Sequence, residues 1–354
     1  MLSMRFLILT QKVDRNDPVL GFFHRWIEEF AKHCERVTVI ALGVGEYNLP
    51  KNVKVFSLGK EHGISRLKYL INFYRLIWRE RKNYNAVFVH MNQVYVVLGG
   101  FFWRLMRKPV GLWYVHREKT ISLCIAEKLV NIIFTSTPES FQVPTKKAHY
   151  LGHGIDILDC ARPQGYHEPR NEKSILCVGR LSAIKDQKTI IHACAILVRE
   201  GIDITCTFVG NADTKADMVY KNKLLALVAN EKLQNNIFFI DGISHAELIP
   251  FFWKSGIHVN GSPTGGLDKV VIESMAAGAI PVVANEAFRN TLGKYSERLV
   301  FDEGDADSLA DYLRNLLVAN DKYELRAALM DKARDNFDLA VLVKKIVTYY
   351  ETSR

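Results

Sequence analysis

Gly261-Ser262-Pro263-Thr264-Gly265-Gly266-Leu267-Asp268-Lys269-Val270-Val271-Ile272-Glu273-Ser274-Met275-Ala276-Ala277-Gly278-Ala279-Ile280-Pro281-Val282-Val283-Ala284 reads as the exit of one strand, a glycine-rich loop, a helix and the next strand. The strand before it is the apolar run 257–259, the helix starts near Asp268 and covers 269–277, and 280–284 is the strand that follows. A strand, a helix and a strand in so short a span are the unit of a parallel sheet. Val270, Val271, Ile272, Met275 and Ala276 surround Glu273, so the helix is expected to be buried and its carboxylate to need a partner.

The same alternation extends in both directions. Upstream in this half, strands are expected at 174–178, 204–209 and 237–240, with helices at 187–199, 216–230 and 245–253. The first half has strand patterns at 5–9, 37–41, 53–56, 86–89, 110–115 and 132–135, with amphipathic segments at 21–33 and 64–81. Between the halves, residues 159–170 are polar, carry Pro163 and Pro169 and lack apolar periodicity, as a linker does. The reading is α/β: two Rossmann-like, doubly wound domains facing a central cleft, at 1–165 and 166–335. A C-terminal helix at 336–354 is expected to pack back on the first domain. In such sheets ligands bind beyond the carboxyl ends of the strands.

A chain of 354 residues exceeds what one hydrophobic core usually serves. Its six cysteines include no Cys-x-x-Cys pair and lie mostly in apolar runs, which points to buried reduced thiols in a cytoplasmic protein. The apolar start at 4–10 is too short for a signal peptide, and the longest apolar run, 94–102, is about half of a bilayer span. The formal charge is +9 and is unevenly placed: residues 1–170 hold 25 Lys and Arg against 14 Asp and Glu, the rest 22 against 24. The excess implies an anionic partner for the first half.

Two segments carry chemistry. In Val178-Gly179-Arg180-Leu181-Ser182-Ala183-Ile184-Lys185-Asp186-Gln187, Gly179 permits a tight exit from the strand, and two cations lie in the loop that leads into a helix. Such a pair suits a diphosphate; two solvated surface cations would fit equally well. In the glycine-rich segment, Gly265 and Gly266 let backbone approach a ligand, and amides at the helix start bind phosphate.

Together these segments resemble glycosyltransferase family 4, retaining enzymes of the GT-B fold. The family's G-R-x-x-x-x-K loop matches Gly179, Arg180 and Lys185; its Glu-x7-Glu element, followed by A-M-A-x-G-x-P-V-V, matches from Glu273 to Val283. Where the family has the first Glu, this chain has Gly265, with Asp268 the nearest acid and Lys269 beside it. The resemblance implies a donor-binding set of Gly179, Arg180, Lys185, Gly242, Gly265, Gly266, Leu267 and Lys269. It implies His116, at the end of Leu112-Trp113-Tyr114-Val115-His116, beside the transferred sugar, and catalytic roles for His116, Glu273 and Asp268. Leu151-Gly152-His153-Gly154-Ile155-Asp156 is similar to the family's G-x-D turn, with Gly154 in the turn conformation and His153 structural. On the acceptor side stand Gly21, Asp14 and Asp17, where the two aspartates either meet acceptor hydroxyls or cap the helix.

The expected activity is retaining transfer of a hexose-type sugar from a nucleoside-diphosphate sugar to a glycan or lipid-linked acceptor, in cell-surface polysaccharide or glycolipid synthesis. No metal or other cofactor is expected. The competing reading is an inactive nucleotide-sugar or glycan-binding homologue, which Gly265 supports. An epimerase would need paired catalytic carboxylates that the sequence does not offer. The cationic, aromatic segment 64–82 and Phe101-Phe102-Trp103-Arg104-Leu105-Met106-Arg107-Lys108 fit either a helix packed on its own sheet with snorkelling cations or a peripheral contact with anionic membrane. No nucleic-acid motif accompanies them.

Overall fold

The computed structural model describes residues 4–17, 19–116, 118–263 and 266–352. The chain divides into two compact units, residues 1–154 with 339–354, and residues 155–338.

The first unit contains a seven-stranded parallel sheet of β1 (Arg5–Val13), β2 (Arg36–Val44), β3 (Val53–Ser57), β4 (Ala86–His90), β5 (Val110–Trp113), β6 (Ile132–Thr135) and β7 (Ala148–Tyr150). Their order is β3-β2-β1-β4-β5-β6-β7, so the winding reverses between β1 and β4. Helices cover both faces: α1 (Phe22–His33) lies on one, and α2 (Arg66–Arg79), α3 (Val94–Leu105) and α4 (Ile121–Leu129) lie on the other. β1 runs to Val13, past the expected 5–9, because its pairing with β2 continues to Val13 opposite Val44. β5 instead stops at Trp113, two residues short of the expected Val115.

The second unit begins with α5 (Ile157–Cys160) and holds a five-stranded parallel sheet of β8 (Asn171–Val178), β9 (Thr205–Val209), β10 (Ile237–Ile240), β11 (Ser255–Asn260) and β12 (Ile280–Val283). The order β10-β9-β8-β11-β12 reverses between β8 and β11. Its longer helices are α6 (Gln187–Arg199), α7 (Lys215–Asn230), α8 (His245–Lys254) and α9 (Lys269–Ala277); the short α10 (Arg289–Leu292) and α11 (Ser296–Leu299) precede α12 (Ala306–Val318) and α13 (Lys322–Phe337). Capping boxes start α7 at Thr214 with Asp217 and α8 at Ser244 with Glu247. Arg170 closes the other ends: its guanidinium donates to the carbonyls of Phe252 and Ser255 at the end of α8 and of Ala277 at the end of α9, where a cation meets the helix dipole favourably.

The division between units falls before the polar stretch that composition marked as the seam. Residues 155–165 belong to the second unit because they are built into it: Cys160 is buried, its carbonyl accepts from the Trp253 indole at 2.7 Å, and Ile155 bridges to Asp338. Polarity shows where chain is solvated, not where packing changes partner. A similar correction applies at Gly154. Gly152, not Gly154, takes the left-handed conformation, at φ 77°. Gly154 is required for space, since a Cβ there would stand 2.6 Å from Leu342.

The last helix, α14 (Leu339–Thr352), packs against α1 and completes the core of the first unit. Tyr350 is fully buried, its ring meets Phe6 edge-on at 4.8 Å, and its hydroxyl donates to the Val87 carbonyl at 2.7 Å. Gly111 leaves room for that hydroxyl, because a Cβ there would lie 2.1 Å from it. Replacing Tyr350 with Ala should cost about 3–5 kcal/mol and lower the unfolding temperature of the first unit, measured by calorimetry. A shift of under a degree would mean that α14 contributes little to this core.

Candidate functional site

The reversal point of the second sheet lies between β8 and β11, and the loops that leave these two strands meet there. Gly179, directly after β8, stands at φ 142°, and Gly210 after β9 stands at φ 157°. A Cβ on Gly210 would be 2.1 Å from the Gly179 carbonyl oxygen, so the two loops approach as closely as backbone allows. The Leu181 amide donates to the Asn211 carbonyl at 2.8 Å, and the Asn211 side chain accepts from the Gly242 amide at 2.7 Å. The loops after β8, β9 and β10 are thereby tied into one rim.

Lys185 ends a short 3-10 turn, Ala183–Lys185, and donates to Asp268 at 2.8 Å. Asn260, the last residue of β11, donates to the same carboxylate oxygen at 3.0 Å. Burial would raise the Asp268 pKa; the Lys185 charge and the hydrogen bonds of Lys185, Asn260 and Ser262 outweigh it and hold the carboxyl below its ordinary value. Asp268 occupies the N-cap position of α9 without bonding its amides, so the first amides of that helix have no side-chain cap. Arg180 is half exposed, and its nearest acid is Asp217, at 3.9 Å. The two motif cations thus differ in state: Lys185 is engaged by an acid, whereas Arg180 projects toward solvent.

Glu273 is buried in α9, and its partner is a residue that the sequence reading did not single out. His245, the first residue of α8, stands with Nε2 3.2 Å from the Glu273 carboxylate. That hydrogen bond raises the His245 pKa above 6.5 against the opposing effect of burial. Lys269, one turn before Glu273 on the same helix, is pushed down to about 8 by burial, with the Glu273 charge opposing. Glu273 therefore stands between two basic groups, hydrogen-bonded to His245 and acting through its charge on Lys269. Beneath the Lys185–Asp268 pair lies His258 on β11. It is fully buried against Phe252, and burial pushes its pKa down to about 3, so it is neutral at ordinary pH. Gly266 accepts from Asn285 through its carbonyl at 3.2 Å, and Leu267 is buried beside it. Gly265 lies outside the described residues. Among the described residues no group of three or more His, Cys, Asp or Glu is placed to hold a metal ion.

In the first unit, Asp14 and Asp17 both serve the loop that follows β1. Asp17 accepts from the amides of Val19 and Leu20 and from Lys12 at 2.7 Å; Asp14 accepts from the Asn16 amide and lies 3.2 Å from Lys12. Gly21 precedes α1, where a Cβ would be 2.5 Å from the Asp17 carbonyl oxygen. His116 is exposed, in the loop three residues past β5, with its ring 6.0 Å from Tyr114. Another histidine occupies the reversal point itself. His90 ends β4, is buried, stacks on Phe23 at 3.8 Å and meets the Thr10 hydroxyl on β1 at 3.3 Å. The signal that marked His116, a histidine closing an apolar strand, was equally present at 86–90.

Two parallel sheets, each reversing its winding once, are the architecture shared with GT-B glycosyltransferases. Residues 162–336 match the family model described as Glycosyl transferases group 1. Over 99% of this chain and 100% of the other, the fold is similar to that of HepE from Anabaena in complex with UDP, with a TM-score of 0.77 and 16% identity. A sucrose-phosphate synthase from Thermosynechococcus elongatus is similar over 98% of both chains, at a TM-score of 0.73 and 15% identity. The apo lipopolysaccharide outer core galactosyltransferase WaaB is similar over 99% of both, at 0.67 and 13%. Comparison with curated protein sequences gives no match.

The His245–Glu273 contact has a pH signature. A histidine whose pKa is raised on folding contributes stability that is present below 6.5 and lost as pH rises through the raised value. Glu273→Gln should bring the His245 titration, followed by NMR, back toward 6.5 and remove that pH-dependent part of stability. An unmoved His245 titration would show that the carboxylate is not its partner in solution.

Proposed function

We propose that the chain is a glycosyltransferase that moves a hexose-type sugar from a nucleoside-diphosphate sugar to a glycan or lipid-linked acceptor, with retention at the anomeric carbon and without a metal. The observation that carries this reading is the rim at the β8–β11 reversal point. Arg180 and Lys185 stand on one loop there, next to the uncapped start of α9, within the residues that match the glycosyl transferases group 1 model. A diphosphate leaving group needs charge stabilisation where the bond breaks. A guanidinium that takes two oxygens, an ammonium, and amides at a helix start supply it. That HepE has been solved with UDP-glucose is consistent with a uridine nucleotide as the first donor to try.

On donor binding, Lys185 would exchange part of its pairing with Asp268 for phosphate. Asp268 then holds the ammonium at the right place rather than meeting the sugar itself. Glu273, oriented by His245, would accept hydrogen bonds from sugar hydroxyls. Retention follows if the acceptor attacks from the face the diphosphate leaves, with a phosphate oxygen taking the acceptor proton. That route uses no side-chain nucleophile. The setting would be cell-surface polysaccharide or glycolipid synthesis. The alternative, a binding homologue without activity, has Gly265 in its favour, and incubation with labelled nucleotide sugars separates the two by release of free sugar.

Thermal shift against UDP-, GDP- and ADP-sugars identifies the donor, because a ligand of the native state raises its apparent stability. Arg180→Ala and Lys185→Ala should each lose about 1.5–3 kcal/mol of donor binding, roughly ten- to hundredfold in Kd. Glu273→Gln should reduce turnover while leaving nucleotide affinity nearly intact. Wild-type turnover in all three variants would refute the site.

A further inference from the structure

Helices α2, α3 and α4 lie side by side on one face of the first unit's sheet. The Tyr74 hydroxyl of α2 donates to the Leu98 carbonyl of α3 at 3.0 Å, and Trp78 meets Phe102 at 5.7 Å. Their inner sides fill the core through Phe73, Leu76 and Ile77 of α2, Tyr95 and Trp103 of α3, and Leu123 of α4. A helix so placed normally turns polar residues outward. These three do not. Leu67, Ile71, Tyr74 and Trp78 follow one another at spacings of about one turn on the outer side of α2, and all are exposed. On α3, Phe101 and Leu105 are 74% and 75% exposed; on α4, Ile121 is 83% exposed. α2 therefore carries an exposed apolar row whose Tyr74 and Trp78 reach α3, and α3 and α4 add exposed apolar residues beside it.

The charge on the same helices is mostly positive. α2 contains Arg66, Lys68, Arg75 and Arg79 and no acid; α3 contains Arg104 and no acid. α4 has Lys128 and Glu127, and Glu127 is already taken by Thr145 and Lys147. Trp78 carries the Arg81 guanidinium 4.1 Å above its ring. Among the described residues no helix is long and apolar enough to cross a membrane. A contiguous apolar face marks an interaction surface. Leu, Ile and Phe in the middle, Trp and Tyr beside them and Lys and Arg on long stems around them make the profile of a surface lying in a headgroup layer.

We propose that the outer face of α2, α3 and α4 docks on an anionic lipid bilayer, with Leu67, Ile71, Phe101, Leu105 and Ile121 entering the acyl boundary and the surrounding cations meeting lipid phosphates. Charge complementarity selects this occupant: an apolar protein partner has no need of six cations on three helices. The proposal does not rest on the donor site, which belongs to the other unit.

Co-sedimentation of the full chain with vesicles tests it. Binding should be strong on phosphatidylcholine vesicles containing a third phosphatidylglycerol and weak on pure phosphatidylcholine. It should fall steeply toward about 1 M salt, where the screening length is ~3 Å. Gln at Arg75, Arg79 and Lys82 should reduce partition about a hundredfold, and Ser at Leu67, Phe101 and Leu105 should reduce it comparably while leaving the salt dependence. Tryptophan emission should shift to the blue on anionic vesicles, and Trp78→Phe should remove most of that shift. The substituted side chains are exposed, so thermal unfolding of each variant should match wild type and separates lost docking from lost folding. Equal partition onto both vesicle types, partition onto neither, or vesicle binding untouched by both variants would overturn the proposal. So would concentration-dependent self-association abolished by the Ser variant in a protein that ignores vesicles, which would assign the face to a second copy of the chain.

Discussion

The Asp268 carboxylate is the anion around which the rim of the second unit is arranged. Lys185 comes to it from the loop after β8, Asn260 from the end of β11, and Asp268 itself opens α9. The Lys185 loop, 83 positions away, is thus referred to the same charged group as the end of β11. A half-buried carboxylate is costly to leave unpaired, and that cost is what fixes the Lys185 loop in place. The same group sits where a helix would ordinarily find its cap, and its side chain bonds elsewhere rather than to the first amides of α9.

Glycines make the arrangement possible. Gly179 and Gly210 bring two loops into backbone contact, which no residue with a Cβ could reproduce, and Gly261 does the same against the Lys185 and Asp186 carbonyls, at 2.9 and 3.2 Å from a Cβ built there. The buried His258 beneath them stays neutral because desolvation disfavours its charge. The charged pair above it therefore rests on an uncharged floor.

The first unit solves a different problem. Its core is closed by α14, which arrives from the far end of the chain and buries Tyr350 against β1 and β4. With one face of its sheet sealed by α1 and α14, the opposite face is left to three helices whose outer sides mix exposed apolar residues with cations. The excess of cations in the first 170 residues, visible in composition, is concentrated in part on this face. Within the segment 64–82, α2 packs on its own sheet through Phe73, Leu76 and Ile77 and keeps its cations exposed, and its outer side is the surface that the proposed membrane contact would use.

The sequence by itself determined the α/β class, the two sheets, nearly every strand and the loops on which Arg180, Lys185 and Asp268 stand. These are local matters: alternation of apolar runs, a glycine at a strand exit and a polar start to a helix act over a few residues. Partnerships between distant segments were beyond it. Glu273 called for a partner because its helix is apolar, but nothing within one turn of it names His245, 28 positions away. Asp268 stood in the sequence as the acid nearest the missing Glu, and nothing local named its partner Lys185, 83 positions away. The unit boundary went the same way, since a polar stretch marks solvent contact while Cys160 and Trp253 decide which core residues 155–165 join. Periodicity records which side of an element is buried; only the packed chain decides what it is buried against.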